Sequence, residues 1–370
     1  MQPYLYSPVI KGKANDLRAL AEASSRMRFM TKALIDISPV PKKKSVDQHI
    51  EKLIVDIAVL AIEEEVFVDF YGFLPGQKVA SGGIATIEGY KALYKAGRFV
   101  TPVYGFGRDD AMWAKLRIAV EKHNRGFCFR IESEDIDEES ENTWEQILVR
   151  SAELGLAPAE VDLFIDLRDV READIDELQE RVTDFLALQP TGKKYRSICV
   201  AGSSASKDVT VIKKDSVGSI YRNELKLWAR LKIDVPACED LIYGDYGIVH
   251  PDFAEDVPCG GTVNCKIRYT AGSQILVFRG HVRAGDAGQT HTLAAMVVEH
   301  DAYQGRDFSA GDEYIDDCAL HMAGPGNPGN WVFSDMNHHL VYACLQIERV
   351  LSDLSVDATD EEIDSLIDEF

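Results

Sequence analysis

Four aspartates stand at or just beyond the ends of short apolar runs in this chain: Asp36, Asp69, Asp166 and Asp245. Carboxylate oxygens are the ligands that hard divalent cations prefer, and a positioned carboxylate can also serve as a general base. We predict Asp166 and Asp245 as catalytic residues of a hydrolase-type reaction, should the protein be an enzyme, and Asp36 and Asp69 as ligands of Mg²⁺ or Mn²⁺. The alternative is structural, because aspartates at strand-to-helix turns often cap helices or pair with arginines.

Basic side chains accompany these carboxylates along the chain. Guanidinium groups bind phosphate or carboxylate through two parallel hydrogen bonds, so several cations around one opening favour a small anionic ligand. We predict a phosphorylated or nucleotide-like ligand held by Lys11, Lys13, Arg130, Tyr246, Arg268 and Arg279. Ion pairing with the aspartates is the alternative for the same residues.

Two adjacent histidines and a glycine-rich loop complete the candidate groups. His338 and His339 lie near the start of a long helix, where they point about 100° apart and do not easily share a metal. We predict a catalytic role for His338, with a buried structural contact as the alternative. Residues 324–329 spell G-x-G-x-x-G, but no strand precedes them and two prolines remove amides, so a dinucleotide site is not expected.

Eight short apolar runs, each followed by an amphipathic stretch, must position these groups. They recur at intervals of roughly 25–45 residues, which is the pattern of a (β/α)8, TIM-like barrel of the α/β class. The runs are residues 6–10, 30–37, 66–70, 99–105, 127–131, 161–167, 197–202 and 241–247, and helices are predicted at 46–65 and 219–231 among others. The C-terminal ends of barrel strands form one opening, where we expect the candidate side chains to meet.

After the eighth run the pattern changes. Segments 263–270 and 274–283 flank a short Ala-Gly-Ser turn and predict a β-hairpin, and two helices around 290–300 and 311–321 follow. A long helix from about 334 to 351 is predicted to be the eighth outer helix. We therefore expect one domain over 1–351 with an insertion at 248–333 that caps the mouth. An acidic tail at 352–370 is expected to form a frayed or mobile amphipathic helix.

With these segments laid out, the chain resembles the family named after the phage "beta protein", found in phages and bacteria. The resemblance runs over nearly the whole length. It is carried by residues 8–13 (PVIKGK), 161–166 (VDLFID), 244–251 (GDYGIVHP), 267–269 (IRY), 277–280 (VFRG), 308–312 (FSAGD), 324–327 (GPGN) and 337–340 (NHHL). Asp166 and Asp245 lie within these segments, which is why they are the preferred catalytic pair. The resemblance implies a link to phage–host conflict and no particular reaction.

Composition narrows the class of protein. A net charge of −21 disfavours broad binding to a nucleic-acid backbone, which needs a basic face. Seven cysteines are scattered singly, no signal sequence opens the chain, and the longest apolar run, 57–62, is too short for a bilayer. We therefore expect a cytoplasmic protein. Two functions stay open: a barrel that binds or acts on a small anion, or a non-catalytic scaffold whose insertion and acidic tail bind a protein partner.

Overall fold

The computed structural model describes residues 4–23, 25–61, 64–108, 110–137, 140–235, 240–252, 263–355 and 357–370. The strands are β1 (Val9–Lys11), β2 (Leu34–Asp36), β3 (Phe67–Asp69), β4 (Thr101–Gly105), β5 (Phe127–Glu132), β6 (Val161–Asp169), β7 (Ser197–Ser203), β8 (Ser216–Tyr221), β9 (Leu241–Asp245), β10 (Asn264–Ala271) and β11 (Gln274–Val282). The helices are α1 (Ala14–Ala21), α2 (Ser25–Met30), α3 (Val46–Ile57), α4 (Ala85–Lys95), α5 (Asp110–His123), α6 (Ser140–Leu154), α7 (Ile175–Ala187), α8 (Asn223–Asp234), α9 (Gln289–Val298), α10 (Ala310–Ala319), α11 (Pro328–Asp353) and α12 (Asp360–Asp368). Short 3-10 turns cover Ser133–Ile136, Pro158–Glu160 and Val209–Val211.

Eight of these strands form a parallel barrel, which confirms the predicted fold. The order is β1-β2-β3-β4-β5-β6-β7-β9. The ring closes where the amide of Ser7 donates to the carbonyl of Tyr243 (2.8 Å) and the amide of Tyr243 donates to the carbonyl of Leu5 (3.3 Å). Each of the eight predicted apolar runs overlaps one barrel strand, because a strand buried on both faces reads as a continuous apolar segment.

Side chains inside the barrel lie in layers. The middle layer is apolar and is formed by Val9, Leu34, Phe67, Val103, Cys128, Phe164, Cys199, Ala201 and Ile242. Strand register pairs Lys11 with Asp36 and Asp36 with Asp69. Each of these residues lies two positions after the apolar residue that its strand contributes to the middle layer. Because side chains alternate along a strand, a polar layer therefore lies above the apolar one at the C-terminal ends. At the opposite end, buried Asp162 pairs with Lys32 (3.3 Å).

The insertion contains a second sheet of three antiparallel strands in the order β10-β11-β8. The predicted hairpin is present, but the predicted helix at 219–231 is wrong at its start, because Ser216–Tyr221 is the third strand and α8 begins at Asn223. Alternate residues of β8 are half-buried and exposed, which is the period of a strand. The second sheet is thus built from the segments after both β7 and β9, and its role as a cap over the mouth stays a prediction.

The chain ends in two helices that pack on the barrel. Helix α11 begins at Pro328, six residues before the predicted start, with Asn327 and Asn330 in a capping box. The acidic tail forms α12, whose Ile363 and Ile367 are buried. Two of its carboxylates pair with basic residues of α8: Asp364 with Lys226 at 2.6 Å, and Asp360 with Arg230. In the part of the chain that the structure describes, no helix is long and apolar enough to cross a membrane.

We expect the tail helix to contribute to folding stability through its two buried isoleucines. Ile367→Ala is expected to lower the free energy of unfolding by about 2 kcal/mol, the lower end for a buried isoleucine because α12 lies at the periphery. Urea unfolding at pH 7 measures this, with exposed Ser365→Ala as the matched control. Unchanged stability in Ile367→Ala would show that the tail does not depend on this contact.

Candidate functional site

The polar layer at the C-terminal mouth is centred on Arg130, which is fully buried. Its Nε donates to Asp166 (2.8 Å), its Nη1 to Asp69 (2.8 Å) and its Nη2 to the hydroxyl of Tyr246 (2.9 Å). Tyr246 in turn donates to Asp166 at 2.6 Å. The structure therefore brings together four of the predicted residues, but each of the three guanidinium nitrogens of Arg130 already donates a hydrogen bond. Arg130 holds the mouth together and has no free fork for a ligand.

Arg108 completes this network and was missed by the sequence analysis. Its two Nη atoms contact the two carboxylate oxygens of Asp69 at 2.5 and 2.9 Å. Burial alone would raise the pKa of Asp69, but Arg108 and Arg130 hold it below the usual value. Its position was the available signal, since Arg108 is the first charged residue after β4, a strand end to which no candidate had been assigned.

Arg168 is held in place by Asp166 and differs from the other cations of the mouth. Its amide donates to Asp166 at 3.1 Å, and its backbone has a φ of 56°, in the left-handed region that non-glycine residues seldom adopt. The Nη2 atom pairs with Asp252 at 2.6 Å. The Nη1 atom is buried and has no hydrogen-bond partner among the described residues.

Tyr71 lies beside the guanidinium groups of Arg130, Arg168 and Arg108, whose central carbons are 4.6, 5.1 and 5.2 Å from the ring centre. The ring is partly exposed. A partly exposed aromatic ring surrounded by cations offers a stacking surface at the mouth.

The predicted metal ligands, Asp36 and Asp69, are paired with basic side chains, and their role as metal ligands stays a prediction. Asp36 accepts a hydrogen bond from Lys11 at 2.8 Å, and Asp69 is held by two arginines as described above. Within the described ranges no group of three or more His, Cys, Asp or Glu is placed to hold a metal ion. Lys13 lies next to this pair at the start of α1, where burial lowers its pKa to about 8.

Residues 248–252, here called the strap, follow β9 and lie over the ends of β1, β6 and β7. Each strap residue is contacted by a side chain of another element. These contacts join Arg268 to the carbonyl of Ile248 (2.6 Å), Ser203 to that of Val249 (3.3 Å), Asp169 to the ring of His250 (3.0 Å), Lys11 to the carbonyl of Pro251 (3.3 Å) and Arg168 to the carboxylate of Asp252 (2.6 Å). The strap thus covers one half of the mouth.

The two hairpin arginines have different positions. Arg268 reaches the mouth through its bond to the strap and also pairs with Asp335 at 3.0 Å. Burial raises the pKa of Asp335 to about 6 despite this partner. Arg279 shares a hairpin face with Arg268 but donates to the carbonyl of Ile212, outside the barrel strands. The prediction that Arg279 reaches the mouth is therefore not met by this arrangement.

Asp245 does not face the mouth, so its predicted position is wrong. Side chains alternate along a strand, and Tyr246 points inward, so Asp245 points to the layer between the barrel and α11. There it accepts hydrogen bonds from Tyr6 (2.7 Å) and Tyr243 (2.9 Å) and contacts His339 (2.9 Å). Burial alone would raise the pKa of Asp245, but His339, Arg222 and Tyr6 hold it below the usual value.

His338 is also away from the mouth, in the core of the insertion. Its Nδ1 contacts Asp312 (2.9 Å), its Nε2 contacts the carbonyl of Thr270 (2.9 Å), and its ring stacks on Tyr269 at 3.8 Å. Both ring nitrogens are occupied and the side chain is fully buried. This geometry matches the structural alternative that the sequence left open.

An open cavity of about 440 Å³ lies over the other half of the mouth, next to β3, β4 and β5. Its apolar wall includes Phe70, Phe73, Leu74, Phe106 and Met112, and Tyr71 and Arg108 border it on the side of the charge network. The last residue of β5 and the turn after it add three carboxylates, those of Glu132, Glu134 and Asp135. The mouth is therefore divided into a half with cations beneath the strap and an open half with an acidic wall.

The chain is similar to known proteins in fold and in sequence family. It is similar to alanine racemase of Clostridium difficile 630 in complex with cycloserine, with 12% identity over 74% of this chain and 61% of that one and a TM-score of 0.36, so it spans about three fifths of the racemase. It is also similar to triosephosphate isomerase from Bartonella henselae, with 16% identity over 66% of this chain and 92% of that one and a TM-score of 0.31. No curated protein matches. One family model, described as Beta protein, matches residues 6–344, so the chain belongs to the Beta protein family.

Proposed function

We propose that this protein binds a small anionic ligand, phosphorylated or nucleotide-like, at the C-terminal mouth of its barrel. The observation that carries the proposal is Arg168. A buried N–H group without a partner costs about 1–3 kcal/mol, and strained backbone persists where the surrounding structure requires it. Nη1 of Arg168 has no partner within the described ranges, and an oxygen of an anionic ligand would supply that hydrogen bond.

The charges around the mouth support one orientation of such a ligand. The cations Lys11, Lys13, Arg168 and Arg268 lie at or near the strap, so the anionic group belongs there. The acidic wall of the open cavity disfavours an anion, but the aromatic and aliphatic wall fits a planar apolar body. Tyr71 lies between the two halves, where a ring of the ligand would stack.

Binding is the activity that the geometry supports best. Asp166 accepts hydrogen bonds from Arg130, Tyr246 and the amide of Arg168, which leaves it as a residue that positions Arg168. Asp245 and His338 are each enclosed in separate buried networks. Hydrolase-type chemistry, a divalent Mg²⁺ or Mn²⁺ ion, cytoplasmic location and a role in phage–host conflict stay predictions. The scaffold alternative also stays a prediction, although part of the acidic tail is engaged with α8.

Arg168→Gln is expected to weaken anion binding at least tenfold, because a hydrogen bond between charged groups is worth about 1.5–3 kcal/mol. Isothermal titration with inorganic phosphate, pyrophosphate and a nucleoside monophosphate, with and without Mg²⁺, measures this effect. Arg230→Gln is the matched control, since Arg230 also pairs with an exposed aspartate but lies on α8.

The same panel is decisive for the proposal as a whole. An increase in melting temperature of the unaltered protein with at least one phosphorylated compound is expected, because a ligand that binds only the folded state stabilises it. No stabilisation by any compound would contradict the proposal. Equal binding by Arg168→Gln and the unaltered protein would remove Arg168 from the site.

A further inference from the structure

The contact between Arg168 and Asp252 is unusual for an ion pair at a barrel mouth. The two residues are 84 positions apart, and the Asp252 side chain is 55% exposed while that of Arg168 is 21% exposed. Only one carboxylate oxygen and one guanidinium nitrogen take part, so that Nη1 of Arg168 stays without a partner among the described residues. An ion pair with one exposed partner and a single hydrogen bond adds little to stability, about 0–1 kcal/mol.

We infer that the carboxylate of Asp252 occupies the place of the ligand's anionic group, and that the ligand displaces it by bonding both Nη atoms of Arg168. This inference rests on the proposed function. It identifies the strap as a built-in competitor for the site and the ligand's anionic group as a carboxylate or phosphate that presents two oxygens side by side.

The hydrogen bonds give the reason why a ligand would win this competition. Asp252 makes one bond to Arg168. A bidentate carboxylate or phosphate makes two parallel bonds, and one of them would go to Nη1, which has no partner in the described part of the chain. The positive charge around Arg168 favours an anion there, either the carboxylate of Asp252 or the anionic group of the ligand. The hydrogen bond from Arg168 holds the pKa of Asp252 below its usual value, and the positive charge of Lys207 acts in the same direction.

The remaining strap contacts show which part has to move. Asp252 is at the end of the strap and pairs with Arg168 through an exposed side chain, and Lys11 holds Pro251 at 3.3 Å. At the other end, Arg268 holds the carbonyl of Ile248 at 2.6 Å. Among the contacts of the described residues, release of Asp252 therefore requires the loss of one or two at the end of the strap, while the beginning of the strap stays attached to β9.

Removal of the competitor is expected to strengthen binding of inorganic phosphate. Asp252→Asn keeps the size of the side chain and removes its charge, so the fraction of protein with a free Arg168 rises and the apparent Kd falls, by about three- to tenfold. Isothermal titration of the full chain with inorganic phosphate measures the change. Asp208→Asn is the matched control, because Asp208 is an exposed aspartate near Lys266 and Arg279 whose carboxylate contacts Thr210 and not Arg168; less than a twofold change is expected there.

The outcomes separate the inference from the proposed function. A tighter Kd in Asp252→Asn alone supports the inference, and the gain is expected to disappear when Arg168→Gln is added. Equal binding by Asp252→Asn and the unaltered protein, or the same gain in Asp208→Asn, overturns the inference and leaves the proposed function standing. Absence of phosphate binding in every variant, together with no response to the other anions of the panel, overturns both.

Discussion

Arg130→Met is expected to lower the free energy of unfolding by about 3–5 kcal/mol, the loss typical of breaking a buried ion pair by removing one partner. Asp69 and Asp166 are fully buried and both bond to Arg130, so the variant leaves two charges in the barrel without their shared cation. Methionine fills a similar volume, which keeps the loss of packing small. Urea unfolding at pH 7, followed by circular dichroism, measures the difference.

Two further variants separate the loss of charge pairing from a general loss of packing. The double variant Arg130→Met/Asp166→Asn no longer carries the unpaired charge of Asp166. We expect its free energy of unfolding to be at least about 1 kcal/mol higher than the sum of the two single changes predicts, because the two residues are in contact. Arg108→Met is expected to be milder than Arg130→Met, since the Arg108 side chain is 18% exposed and Asp69 keeps Arg130. A loss below 1 kcal/mol in Arg130→Met would contradict the view that this residue holds the mouth together.

Asp245→Asn is expected to lose about 2–3 kcal/mol at pH 7 and progressively less in acid, as linkage between pKa and stability requires. The pKa of Asp245 lies below the usual value in the folded state, so the unfolded chain binds the proton more tightly. Ionised Asp245 therefore stabilises the fold above the ordinary aspartate pKa of about 3.9, and this contribution is lost as the pH falls further. Urea unfolding at pH 7, 5, 4 and 3 measures the narrowing difference between the two proteins.

The free energy of unfolding of the unaltered protein should also fall as the pH is lowered, and more steeply than that of Asp245→Asn. Asp69 and Asp162 also have pKa values held below the usual range by arginine or lysine partners, so three carboxylates must take up protons when the fold is lost in acid. Asp360→Asn, at an exposed pair on the tail, serves as the control and should follow the unaltered protein at every pH. A difference for Asp245→Asn that stays constant from pH 7 to 3 would contradict this account.

Much of the fold was predictable because the relevant signals are local. Each of the eight apolar runs overlaps a barrel strand, the capping box of Ser45 and Gln48 starts α3, and the hairpin turns at Gly272 with a positive φ of 53°. The third strand of the insertion was missed because 216–221 alternates over only six residues and runs directly into a strong amphipathic helix. Short segments of that kind take their structure from the strand they pair with.

The candidate site was predictable only in part. Four predicted residues lie together at the mouth: Lys11, Arg130, Asp166 and Tyr246. The C-terminal ends of barrel strands form one opening, and this does not depend on the structure of the loops between them. The prediction placed Asp245 and its neighbour Tyr246 at the same opening. Side chains alternate along β9, so the two residues point to opposite sides of the strand. Arg108 was missed because it lies in a turn, where no periodicity marks its direction.

The sequence by itself determined the barrel, the insertion and which charged residues stand near the strand ends, since periodicity, turn residues and caps act over a few positions. Only the tertiary structure decided which charges pair and that Nη1 of Arg168 has no partner among the residues that the structure describes. The reason is the separation of the partners along the chain. Arg130 and Asp166 are 36 positions apart, Arg168 and Asp252 are 84 apart, and Lys11 and Pro251 are 240 apart, so their contacts exist only after the ring has closed.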